Sequence, residues 1–276
     1  MKTPNYVWYF LLIGISLFVL MITLMKHKDK KRLLQTYFFI TGLAYIVDYI
    51  VLVLLDAYYY KPLLVNSYWF DNILGSIVSQ GITIPTSAVA IAEFHFRLTN
   101  ILMITLSILG IEWFFLNMDL YEHHWWKIWI TGILLPICFY IAKGWYQLLK
   151  RPGPFVKFFT MYLTIAVYIN TLHFILLFLF SVPTYSVHWF NDPIRDSLTF
   201  NALYIFCFSF FFTFLISFKF QWRWITAILS IKILFDFLCI KYNLLMNSYS
   251  TIFLFLVLHV STILIFRYLY VKWFIP

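Results

Sequence analysis

The sequence predicts an all-α polytopic integral membrane protein, and three observations carry that expectation. Hydrophobic residues make up 63% of the chain and charged residues only 11%, against about 25% charged in soluble domains. Apolar stretches close to the roughly 20 residues that a helix needs to cross a bilayer recur along the whole length. Lysines and arginines gather in alternate connections between those stretches, as membrane topology requires. The 276 residues include no long hydrophilic segment, so they read as a single transmembrane domain whose sites must lie between helices or in short loops.

Nine segments qualify as spans or nearly so, at 6–25, 36–55, 72–92, 98–117, 126–147, 157–181, 197–217, 222–241 and 250–271. The first is preceded by Lys2 and no small-residue cleavage site, and reads as a retained helix rather than a signal peptide. Segment 72–92 is the weakest. Its Gly75, Gly81 and Pro85 suit either a close-packed, kinked span or a re-entrant segment. Segment 222–241, WRWITAILSIKILFDFLCIK, carries Lys232 and Asp236 four residues apart on one helix face. Charges in hydrocarbon are costly, so such a pair turns inward and marks a packed or functional place.

Orientation follows from the basic residues. The loop KHKDKKR after the first span holds Lys26, Lys28, Lys30, Lys31 and Arg32 and fixes that end in the cytoplasm. Alternation from there puts fourteen of the twenty lysines and arginines inside and five outside, with Lys232 in the membrane. Nine spans, an outside N-terminus and a cytoplasmic C-terminus satisfy this bias. The net charge of +9 is thereby spent on topology, and nucleic acid is not an expected partner.

Comparing the halves suggests a repeat of four spans, 36–147 and 157–272, joined at Arg151–Phe155. Tyr68-Trp69-Phe70-Asp71-Asn72 recurs as His188-Trp189-Phe190-Asn191-Asp192, and Phe94-x-Phe96-Arg97 as Phe220-x-Trp222-Arg223, at offsets of 120 and 126 residues. Glu112 then falls opposite Asp236. An even number of spans per unit would give parallel copies related by an axis along the membrane normal. The run from Glu112 to Gln147, with its aromatic cluster YEHHWWKIWIT, resembles the C-terminal part of small uncharacterised multi-pass proteins of spore-forming Firmicutes. That resemblance implies only a bacterial plasma membrane, since the family brings no known activity.

Five residues are candidates for chemistry: Asp48, Glu112, His173, Lys232 and Asp236. Glu112 and Asp236, at matching depth, could bind a cation or hand on protons, or each could pair with a basic residue and lock helices together. Asp48, in YIVDYIVL, has no basic neighbour and needs a partner from another helix or a neutral form. Asn170 and His173 occupy the equivalent stretch of the sixth span. His259 reads as a hydrogen-bonded core residue.

Asp119, Glu122, His123 and His124 form no metal-ligand pattern, and the loop histidines read as solvated. Trp125, Trp126, Trp129, Trp189 and Tyr58 to Tyr60 read as an interfacial aromatic belt. Cys138, Cys207 and Cys239 lie in apolar runs without partners and read as small buried residues. Phosphate loops, nucleophile triads and CxxC motifs are absent from the sequence, and no cofactor is expected. The functional expectation is a transporter-like protein for a small solute or ion that uses intramembrane carboxylates. The alternatives are a non-catalytic assembly or binding protein and an intramembrane lipid-modifying enzyme. The lipid bilayer is the expected partner, with a small solute, ion or lipid as ligand.

Overall fold

A computed structural model describes residues 3–26, 29–180, 185–218, 221–245 and 249–274. Eight helices in it are long and apolar enough to cross a membrane. They are α1 (Asn5–Lys26); α2 (Lys30–Asp48) with its π-helical continuation Tyr49–Leu54; the rod formed by α3 (Tyr68–Ser76), a π-helical stretch (Ile77–Thr83) and α4 (Ile84–Glu93); α5 (Leu98–Asn117); α6 (Ile128–Leu148); α7 (Pro154–Phe180); α8 (Pro193–Ser217); and α10 (Tyr249–Phe274). A further rod, α9 (Trp222–Lys241), is of similar length. Every 18-residue stretch of α9 contains Lys232, Asp236 and either Arg223 or Lys241, and this charge sets it apart from the eight. Segment 72–92 lies in one rod of 26 residues, Tyr68–Glu93.

The packing divides the chain into two compact units, Met1–Arg151 and Pro152–Pro276, with the boundary inside the Arg151–Phe155 segment. The first unit contains α1 to α6 and a two-stranded antiparallel sheet, β1 (Tyr58–Tyr60) and β2 (Tyr121–His123), which pairs Tyr60 with Tyr121. This small sheet, three residues per strand, is an addition to a structure that is otherwise helical, as the all-α expectation has it. One end of the unit gathers Asn5, the 55–67 connection and the 118–127 connection. Asn5 Nδ2 donates to the carbonyls of Lys61 (2.8 Å) and Asp119 (3.3 Å), and the Tyr9 hydroxyl donates to that of Leu120 (2.6 Å). Basic residues collect at the opposite end. There Lys143 Nζ reaches the Phe96 carbonyl at 2.7 Å, and Arg32 donates to the Tyr146 hydroxyl, which in turn donates to Glu93.

The connection between the α2 rod and the Tyr68–Glu93 rod is held by Asp71. Its carboxylate, in the first turn of α3, accepts from the backbone N–H groups of Leu63 (2.9 Å), Leu64 (2.9 Å) and Val65 (3.3 Å). Next to it, Asn72 Oδ1 accepts from the Tyr60 N–H at 3.0 Å. Backbone donors withdrawn from water need partners, and these two side chains supply them for the buried Tyr60 N–H and three part-buried ones. Gly75 lets the next turn of α3 approach Tyr60, because the Tyr60 side chain fills the space that a Cβ would need.

The second unit contains α7 to α10, and its loop is held by the same chemistry. Asp196, in the first turn of α8, accepts from the N–H groups of Val187 (2.7 Å), His188 (2.9 Å), Trp189 (2.8 Å) and Phe190 (3.2 Å). Ser197 accepts from the Tyr185 N–H, and Tyr185 bridges to Leu245 as Tyr60 pairs with Tyr121. Leu63 and His188 both take left-handed φ, at 54° and 59°. These contacts recur at a spacing of 125 residues.

Beyond α8 the spacing is 124. Arg97 and Gln221 are the N-cap residues of α5 and α9, and Asp119 and Asn243 take left-handed φ just past the ends of those helices. The rod Tyr68–Glu93 has 26 residues against 25 in α8. A π-helical turn absorbs one inserted residue, which accounts for the step. The sequence recurrences at 120 and 126 are therefore out of register. Asp71 matches Asp196 in its contacts rather than Asn191, and Arg97 matches Gln221 rather than Arg223. Phe220, Lys2, Lys28 and Lys219 lie outside the described residues.

Replacing Asp71 or Asp196 by Ala should be severe. An orphaned donor costs roughly 1–3 kcal/mol when fully buried, and Asp71 serves three part-buried ones. Thermal unfolding in detergent should show a far larger loss for Asp71→Ala than for Ser67→Ala, which removes an N-cap worth about 1 kcal/mol. Equal losses would contradict the anchoring role.

Candidate functional site

Each unit carries a buried polar cluster, and the five sequence candidates divide between them. In the first unit Asp48 sits at the end of the α-helical part of α2. It accepts from the Tyr58 hydroxyl at 2.6 Å and from Ser76 of α3. Its partners therefore come from another helix and from β1, and both are neutral donors. At the spacing of 125, His173 Nδ1 lies 3.2 Å from Asn201 Oδ1 in the second unit, so that α2–α3 and α7–α8 are each joined by one polar pair at matching positions.

Glu112 lies one and a half turns from the end of α5, in the wall of a cavity of about 330 Å³. The walls toward the middle of the helices are apolar, with Leu43, Ile84, Ile108, Leu135 and Cys138 among them. At the end nearest the sheet they are aromatic: Tyr58, Tyr60, Tyr121 and Trp126, with successive ring centroids 4.7–5.5 Å apart. Ser79, Gln80 and Thr83 of the π-helical stretch contribute polar atoms. Tyr58, Tyr60, Tyr121 and Trp126 are all buried. They are core residues of the sheet and not part of an interfacial belt, whereas Trp125, Trp129 and Trp189 are exposed. Burial pushes the phenols of Tyr58, Tyr60 and Tyr121 up, so all three remain neutral donors.

The two oxygens of Glu112 differ. Oε1 receives His123 Nε2 at 3.0 Å and the Thr131 hydroxyl at 3.1 Å, and Trp126 donates to that hydroxyl at 2.8 Å. Oε2 is buried and has no hydrogen-bond partner among the described residues, and the side chain is only 9% exposed. His123 is thus no solvated loop residue. Burial, and then Lys127, lower its pKa, so near neutral pH it serves Glu112 as a neutral N–H donor. At the rim, Lys61 pairs with Asp119 and Glu122. Partial burial lowers its pKa, but the two carboxylates outweigh that effect and raise it.

In the second unit α9 brings Lys232 and Asp236 into full burial as an ion pair. The Tyr204 hydroxyl of α8 donates to Asp236 Oδ1 at 3.1 Å, and Oδ2 faces the Lys232 ammonium. Lys232 Nζ lies 5.8 Å from the Phe255 ring centre. The His173 and His259 rings lie 5.5 Å apart, and His173 Nε2 has no partner among the described residues. Glu112 and Asp236 belong to different units. Among the described residues no group of three or more His, Cys, Asp or Glu could hold a metal. Cys207 is exposed, unlike Cys239.

Sequence reasoning did not single out Asp196, Tyr204 or the His123–Glu112 contact. The signal for Asp196 was its place in the first turn after the N-cap Asp192 and Pro193. For His123 no local pattern exists, because its partner is brought in by the fold.

The lowered pKa of His123 has a sign that can be checked. The unfolded state, with a histidine pKa of about 6.5, takes up a proton before the folded state does, so stability falls as pH drops below that value. His123→Gln should flatten part of this fall in detergent melting curves. An unchanged pH profile would contradict the buried, neutral imidazole. In comparisons with known proteins, no family model, no curated protein and no solved structure gives a significant match.

Proposed function

We propose that this is a transporter-like membrane protein whose first unit binds a small amphipathic organic cation. The observation that carries the reading is the Glu112 side chain in the wall of a cavity, with its Oε2 buried and without a hydrogen-bond partner among the described residues. A carboxylate in hydrocarbon is costly unless neutralised, and its neighbours His123 and Thr131 are neutral donors to the other oxygen. A cation would complete it. Aromatic faces around the carboxylate favour a cation by their quadrupoles, while the apolar remainder suits an alkyl or aryl body better than a hydrophilic solute. The volume falls at the lower end of the range for small-molecule sites, roughly 300–1,000 Å³. The π-helical stretch in the wall is of a kind that collects at functional sites.

The same reading takes α9 as a ninth crossing, with the N-terminus outside, the C-terminus cytoplasmic and two copies of a four-helix unit. The fourteen-to-five split of lysines and arginines supports the topology, and the matching anchors of Asp71 and Asp196 support the copies. Placement in a bacterial plasma membrane rests on the resemblance of residues 112–147.

The test uses labelled hexyltrimethylammonium, a permanently charged amphiphile. The purified protein should bind it saturably, and proteoliposomes should take it up. Glu112→Gln should weaken both by about tenfold or more, a loss of at least roughly 1.4 kcal/mol. Binding and uptake equal to wild type in a folded Glu112→Gln protein would overturn the proposal.

A further inference from the structure

The two carboxylates at matching positions are satisfied by one scheme. In each, one oxygen is taken by neutral donors of the protein: His123 and Thr131 on Glu112 Oε1, and Tyr204 on Asp236 Oδ1. The other oxygen differs. Asp236 Oδ2 meets the Lys232 ammonium, whereas Glu112 Oε2 has no hydrogen-bond partner among the described residues. The spacing of 124 that relates the caps and ends of α5 and α9 places Ile108 at the position of Lys232, one turn before the carboxylate in both helices. Ile108 lines the cavity of the first unit.

From this we infer that the second unit is the same cation site with its cation built in. Lys232 is a tethered ligand of Asp236, and its chemistry names the ligand of the first unit as an alkylammonium, a charged amine on an apolar stem. A lysine side chain is an ammonium on four methylenes. In the second unit that stem is wholly buried and its head lies near an aromatic ring, Phe255. The cavity of the first unit has similar walls: apolar residues along the stem path, aromatic rings at the carboxylate end and the Glu112 side chain there for the charge. The inference deepens the proposed function and rests on it for the first unit only. For the second unit it stands on the Lys232–Asp236 contact.

Binding of n-hexylammonium to the purified full chain tests both halves. Ile108→Lys installs the tethered cation in the first unit and should lower hexylammonium affinity by about tenfold or more, while Ile108→Met, similar in size but uncharged, should retain it. Wild-type affinity in Ile108→Lys would overturn the inference.

The reciprocal arm removes the tether. In a Glu112→Gln background, Lys232→Ala should bind hexylammonium, seen as a melting temperature that climbs with amine concentration. Adding Asp236→Asn should abolish that climb. A folded Glu112→Gln, Lys232→Ala protein that the amine does not stabilise would also overturn the inference.

Should Lys232→Ala fail to fold alone, purification with the amine present becomes the readout. Recovery of folded protein only with hexylammonium supports the tether, and equal failure with and without it contradicts it. If wild type binds no organic cation while Lys232→Ala is rescued, the proposed function of the first unit has failed and the built-in cation has not.

Discussion

Hydrocarbon offers no hydrogen bonds, so every polar group that a membrane chain carries inward must find its partner within the fold. The connections before α3 and α8 meet this demand through one carboxylate each. Asp71 and Asp196 gather the N–H groups of loops that have no strand to pair with, and the neighbouring Asn72 and Ser197 hold the tyrosines that enter the short sheet or bridge. Tyr60, fixed in this way, closes one end of the cavity in which Glu112 lies. The loop anchor and the candidate site are therefore coupled through β1.

The same constraint organises the interior charges. Asp48 is satisfied by two hydroxyl donors and Asp236 by an ammonium and a phenol, while Glu112 keeps one oxygen without a hydrogen-bond partner among the described residues. Buried ion pairs add little to stability over apolar packing, yet removing one partner is costly. Lys232 and Asp236 thus need each other whatever else they do. Asp48 and Glu112 have only neutral donors among the described residues, and of the two it is Glu112 whose second oxygen lacks a hydrogen-bond partner.

Much of this could be read from the chain. Helix class and approximate segments follow from hydropathy, because lipid imposes a length and a composition that few other environments do. The Lys232–Asp236 pair was legible from its spacing of four on an apolar helix. The loop anchors were not, since Asp71 and Asp196 act on backbone groups several residues upstream and leave no side-chain pattern. Nor was the burial of Tyr58, Tyr60 and Trp126, which looked like interface aromatics until the pairing of β1 with β2 folded them inward. Matching loop contacts lie 125 residues apart before the π-helical stretch Ile77–Thr83, and matching helix caps lie 124 apart after it, whereas the sequence motifs compare residues 120 and 126 apart.

The central claim is that Glu112 keeps an oxygen for the charged head of an amphipathic ammonium. A structure of the purified protein with hexylammonium bound tests it most directly. The account predicts the ammonium nitrogen within about 4 Å of Glu112 Oε2, the ion-pair distance, with the rings of Tyr58, Tyr60, Tyr121 or Trp126 around it and the alkyl chain among Ile84, Ile108 and Leu135. An amine seated elsewhere, with Glu112 bonded only to His123 and Thr131, would contradict it.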